Sequence, residues 1–312
     1  MHLTELLTRH PQQPVQGVPD WMLGFFKRQS ISFADGLTDV QTNVCWFQSR
    51  NFTIDLRLPQ AKHQVPAKPL SACSSEELQV LANYEGWEAL CHWEDELLSW
   101  HTDTSFQLHN RWPEPAVLKR IGNCMIEFAP SGAYVEDWRL QCSRPGALIG
   151  LRLLEERDRD SGEVHHRGGG LIVCGEHAAL VLGRSQALEG ETPLPDQLRQ
   201  HADDPQWLSR AFNFETSVAQ GSLRDGFTVT LSTRAERLGQ ALIPLHGFER
   251  EADGKHLVQT LVLAGKARER RFVIDTLEPQ VSFAQGTGFT PDAAQWYERE
   301  SPTLSRYLQS LV

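Results

Sequence analysis

Three short stretches of this chain set an ionisable side chain two residues from another ionisable or an aromatic one, the period that puts residues on one face of a β-strand. Tyr134, Glu136 and Trp138 are the first, a carboxyl between two rings, with Val135, Asp137 and Arg139 on the opposite face. A carboxyl buried against rings holds its proton more tightly, which suits it to proton transfer near neutral pH. Asp55 and Arg57 are the second, opposite an apolar face of Phe52, Ile54, Leu56 and Leu58. A guanidinium offers a fixed fork of donors that can hold a carboxylate or carbonyl in a dry cavity. The third is His101 with Asp103, following Trp100, where a carboxylate can orient an imidazole as a general base. If 87–94 and 97–104 form a hairpin turning on Asp95-Glu96, His92 faces away from His101.

Glu136, His101 and Asp103 are therefore the candidate catalytic residues, and Arg57, Asp55, Tyr134, Trp138 and Trp100 the candidate ligand-binding ones. Each has a plainer counterpart: a surface ion pair contributing less than ~1 kcal/mol, a structural Glu–Arg contact, or a solvated His-x-Asp. The sharpest expectation is that Arg57, Glu136 and Trp138 face one lumen, and Asp55 with them because residues two apart share a face.

Other conspicuous residues point away from chemistry. In His165-His166-Arg167-Gly168-Gly169-Gly170 the adjacent histidines face opposite ways on a strand, so they make no metal pair. The glycines lack the lysine and following helix of a phosphate loop, and the string reads as a loop or lid between two halves. None of the twelve histidines has zinc-ligand spacing, and no nucleotide fingerprint occurs. Neither a metal nor a cofactor is expected.

The elements that must position these residues are strands. Alternation runs through 52–58, 212–218 and 227–232, and further strand candidates are 29–34, 40–48, 86–94, 97–108, 123–129, 132–140, 147–155, 170–174, 177–183, 256–264 and 269–276. Pro130-Ser131-Gly132, Ser161-Gly162, Arg224-Asp225-Gly226 and Asp253-Gly254-Lys255 supply turns. Helical signals are few: Ser74 capping a helix through Leu78, Leu81 and Ala82, a short one at 195–201, and a C-terminal helix with Leu304, Tyr307, Leu308 and Leu311 on one face. Many short strands with few helices predict an all-β barrel or sandwich. Strand-rich stretches flank a charged, glycine-rich centre, which predicts two barrel-like halves, 1–155 and 156–312, with a single large sheet as the alternative.

Composition narrows the partners. A net charge of −10 with no basic block repels a phosphate backbone, so nucleic acid is not an expected partner. No long apolar stretch exists to span a membrane, and the first residues lack a leader's basic start and apolar run. With six cysteines at irregular spacing, free thiols in a cytoplasmic protein are expected. Nine tryptophans point to large packed faces or a lined cavity.

Trp46-Phe47-Gln48-Ser49 followed by Asp55-Leu56-Arg57-Leu58-Pro59 resembles a poorly characterised family of bacterial and fungal proteins, in which W-[LF]-Q turns into a second strand reading D-[LIV]-R-[LIV]-P. Trp100-His101 with Phe106-Gln107, Glu127, and Tyr134-Val135-Glu136-Asp137-Trp138 extend the resemblance. Phe214-Glu215-Thr216-Ser217 with Leu231-Ser232-Thr233 echo it, so it is scattered over roughly residues 40–240. Where the family has an acidic residue before its Phe-Gln, this chain has Ser105. The resemblance implies a lipocalin-like fold, single or doubled, and brings no established activity, substrate or catalytic residue.

Together these readings predict a protein that binds a small apolar or carboxylate-bearing molecule in an aromatic-lined barrel. One alternative is a cofactor-free isomerase, hydratase or lyase using acid–base chemistry in the same pocket. The other is a protein–protein scaffold without a sizeable cavity.

Overall fold

The computed structural model describes residues 1–108, 114–190, 192–283, 295–296, 298–299 and 301–302. Alternating runs become strands because residues at every second position bury one face of the pleat. The first sheet holds β1 (Gly24–Phe33), β2 (Thr38–Asp39), β3 (Asn43–Gln48), β4 (Phe52–Leu58), β5 (Glu85–Glu94), β6 (Leu97–Ser105), β7 (Ala116–Ile121), β8 (Cys124–Phe128) and β9 (Tyr134–Leu140). Neighbours pair antiparallel, and β9 returns to β1 from Phe26↔Leu140 to Phe33↔Tyr134, which closes an eight-strand barrel.

The second sheet holds β10 (Gly146–Asp158), β11 (Val164–Cys174), β12 (His177–Arg184), β13 (Glu215–Ser222), β14 (Gly226–Ser232), β15 (Phe248–Arg250), β16 (His256–Leu263) and β17 (Lys266–Val281). Its order is β14-β13-β12-β11-β10-β17-β16-β15. The fold is thus mainly antiparallel β, with strand residues more than twice as many as helical ones. The sheet changes between Leu140 and Gly146, and the expected division at 155/156 falls inside β10.

Short helices punctuate the strands: α1 (Leu3–Arg9), α2 (Ser75–Ala82), α3 (Leu194–His201) and α4 (Pro205–Ala211). α2 starts where the sequence places it, with Ser74 and Glu77 in a reciprocal capping box. Leu3, Leu6 and Leu7 of α1 insert into the concave side of the second sheet, against a core that includes Leu151, Leu180, Phe227 and Phe272. That interior is apolar for most of its length, with Glu156, Gln259 and Arg270 at one end. The expected C-terminal helix with Leu304, Tyr307, Leu308 and Leu311 lies outside the described residues. Among the described residues no helix is long and apolar enough to cross a membrane, and all six cysteines are free thiols.

One sequence expectation is corrected. The His165–Gly170 string is not a lid but part of β11, with a bulge between His166 and Gly169. Its glycines are there for close approach: a Cβ on Gly169 would lie 2.1 Å from the Val181 carbonyl oxygen, and one on Gly168 2.4 Å from Thr104 Oγ1.

The barrel's outer wall packs against the second sheet, which explains why β4 is buried on both faces. Phe52, Ile54, Leu56 and Leu58 share one apolar core with Leu148, Ile172, Val181 and Val218 of the second sheet. Polar contacts fasten the seam: Arg152 to the buried Glu88 at 2.5 Å, Arg50 to Glu278 at 2.8 Å, and Asn51 Nδ2 to Asp275 at 2.8 Å. With the apolar face of β4 spent on this seam, Thr53, Asp55 and Arg57 turn into the barrel.

Candidate functional site

Cross-strand pairing fixes which side chains share the lumen, because directly opposed residues point the same way. Trp46 of β3 opposes Asp55 of β4, which opposes Trp87 of β5. Across the barrel Glu136 of β9 opposes Glu127 of β8, which opposes Leu118 of β7. Trp46 touches Trp138 and Trp100, with ring centroids at 5.2 and 6.3 Å, and Trp100 lies 6.2 Å from Trp87. Edge-to-face contacts of this kind suit the aromatic quadrupole. Trp46 Nε1 is satisfied by Gln48 Oε1 at 3.1 Å.

The charged residues of the lumen are arranged in pairs. Arg57 Nε donates to Asp55 Oδ1 at 2.9 Å, with the Asp55 side chain 3 % exposed. Burial raises the Asp55 carboxyl above its ordinary pKa, against the pull of Arg57. Arg28, on β1 opposite Trp138, donates to Glu136 at 2.7 Å and to Asp39 at 2.9 Å. At one end Arg120 donates to the Trp21 carbonyl at 2.9 Å and lies over the Phe26 ring. Burial brings its pKa down to about 10.

Glu127 is the residue that sequence reasoning passed over. It sits among the motifs of the resemblance, but its significance depends on the β8–β9 register, which sets it directly against Glu136. Two carboxylates so placed repel. Burial, then the Glu136 charge, raise the Glu127 carboxyl well above its ordinary pKa. Its Oε1 accepts from Tyr134 Oη at 3.1 Å and its Oε2 from Trp138 Nε1 at 3.0 Å. The fields of Arg57 and Glu136 both reach it.

Linkage gives this arrangement a pH signature. The folded state holds a proton that the unfolded chain releases near pH ~4.3, so this contribution to stability is lost as pH rises from there through the raised folded value. Glu127→Gln keeps the site neutral at every pH. Urea unfolding at pH 5, 6, 7 and 8 should show the variant gaining on the wild type by on the order of 1.4 kcal/mol per pH unit within that window. Parallel curves would mean that Glu127 titrates alike in both states.

The structure thus brings Asp55, Arg57, Tyr134, Glu136, Trp138 and Trp100 to one interior. His101 stands apart. It is exposed on the outer face, with Nε2 2.8 Å from Ser99 Oγ. His92 lies on that same face, its ring 6.4 Å from His101, because the Asp95-Glu96 turn pairs His92 with Ser99. This corrects the expectation that the two face opposite ways. The side chain of Asp103 lies outside the described residues.

Among the described residues β6 and β7 pair at Leu97↔Val117 and Leu98↔Ala116, next to Trp100. Trp87 and Trp100 face inward yet are only half-buried, while the Trp100 Nε1 atom is itself buried and, among the described residues, without a hydrogen-bond partner. A separate cleft of about 1010 Å³ lies between the two sheets, lined by Leu70, Leu81, His165, Leu208 and Phe212 among others. Comparison with protein-family models, curated proteins and solved structures finds no match.

Proposed function

We propose that this protein binds a small molecule inside the first barrel, against Trp46, Trp87, Trp100 and Trp138. One observation carries the reading: the interior holds two arginine–carboxylate pairs and a further buried carboxyl, Glu127, where aliphatic side chains would give a more stable barrel. Buried ion pairs are often neutral or costly beside well-packed apolar residues, so a lumen that keeps them serves something other than stability. The half-buried Trp87 and Trp100 give a molecule somewhere to enter. Trp46, Asp55, Arg57, Trp100, Glu127, Tyr134, Glu136 and Trp138, all among the residues of the resemblance, face this lumen, in keeping with a lipocalin-like binder.

The test uses 1-aminoanthracene, an uncharged planar probe whose fluorescence rises in apolar surroundings. It is expected to bind one per chain. Leu118→Trp, which fills the middle of the lumen, should abolish binding while leaving the far-ultraviolet circular dichroism unchanged. Leu70→Trp, in the cleft between the sheets, should leave binding intact. The reverse pattern would move the site to the cleft.

Acid–base catalysis in the same lumen is the second reading, favoured by the direct opposition of Glu127, its pKa raised by burial, to the ion-paired Glu136. Carboxyls driven to different protonation states by their surroundings are the usual division between acid and base. In that case Glu127→Gln would abolish turnover and spare binding.

A further inference from the structure

We infer that the ligand of the first barrel is an uncharged molecule carrying a carbonyl-type oxygen, and that the indole N–H of Trp100 holds that oxygen. The inference rests on the lumen reading above and narrows it to a chemical class.

The sequence alone offers Arg57 as the anchor for a carboxylate. The geometry argues otherwise, because the guanidiniums facing the lumen are engaged. Arg57 is on Asp55, Arg28 is on Glu136 and Asp39, and Arg120 is spent on the Trp21 and Gly122 carbonyls. Carboxyl groups on and around the lumen, Asp39, Asp55, Glu85, Glu127 and Glu136, outnumber Arg28 and Arg57. An incoming anion would have to break an existing pair and lie beside carboxylates, at a high desolvation cost in a dry interior.

What the lumen does offer is a neutral donor. Trp100 Nε1–H is buried and has no partner among the described residues, a state that costs free energy until an acceptor fills it. Two of the other three lumen indoles are satisfied: Trp46 is bonded to Gln48 and Trp138 to Glu127. A cation brings no acceptor for this donor. A planar body with one oxygen satisfies Trp100 and stacks on its neighbours without disturbing the ion pairs.

Four naphthalenes of matched shape separate the possibilities by calorimetric titration: 2-methylnaphthalene, 2-acetylnaphthalene, 2-naphthoate and 2-naphthylmethylammonium. The ketone is expected to bind about tenfold tighter than the hydrocarbon and than either ion. Trp100→Phe keeps a ring but removes the N–H, so it should erase the ketone's advantage and leave 2-methylnaphthalene within about twofold of wild type. If the hydrocarbon binds but the naphthoate or ammonium matches the ketone, the inference is overturned and the lumen reading stands. An unchanged ketone preference in Trp100→Phe overturns it equally. If none of the four binds the wild-type protein, the lumen reading itself fails.

Discussion

Arg57→Ala is expected to cost about 3–5 kcal/mol of folding free energy, because it leaves Asp55 as an unpaired carboxylate inside the barrel. Both side chains are buried, at 11 % and 3 % exposure, so little solvent is at hand to soften the loss. Asp55→Asn/Arg57→Ala removes the stranded charge and should recover more than half of the deficit. Urea denaturation of the two variants beside the wild type measures both numbers. A single-mutant loss below about 0.5 kcal/mol, the size of an ordinary surface change, would place the pair outside the lumen. A double mutant no better than the single would show that the cost came from lost packing of the arginine stem.

The second large effect lies far from the barrel. Leu6→Ala in α1 should cost about 2–5 kcal/mol, since it opens a cavity among fully buried side chains of the second sheet. Thr8→Ala, one residue beyond Leu7 and exposed, should cost less than about 0.5 kcal/mol. The same denaturation experiment reads both. Equal, small losses would mean that α1 is not part of this core.

Much of the fold is legible in the sequence, and for a physical reason: alternation has a short period and needs no knowledge of partners. Phe52–Leu58 and Gly226–Ser232 read directly as strands, and Ser74 with Glu77 announces α2. Other elements are silent. α1 has only seven residues, and Leu3, Leu6 and Leu7 become meaningful only once the second sheet supplies a cavity for them. β7 passes unnoticed because Ala116, Leu118 and Arg120 mix apolar and charged residues on one buried face. The glycines of β11 read as a loop because their purpose, contact with β12 and Thr104, is tertiary.

The site divides along the same line. That Asp55 shares a face with Arg57, and Glu136 with Tyr134 and Trp138, follows from period alone. That those faces point into a lumen depends on the second sheet covering the other side of β4, which one strand's sequence does not contain. The opposition of Glu127 to Glu136 is a matter of register, and the orphaned Trp100 N–H a matter of who fails to reach it. Such features need pairing across strands, so they emerge only with the structure.

The central claim is that the ligand sits in the barrel among the tryptophans and not in the cleft between the sheets. Indole N–H resonances of ¹⁵N-tryptophan-labelled protein, recorded with and without 2-acetylnaphthalene, test it most directly. Shifts confined to Trp46, Trp87, Trp100 and Trp138, largest at Trp100, are the predicted result. Trp207, on α4 beside the cleft, should stay in place. A shift at Trp207 with the four lumen indoles unmoved would contradict the claim.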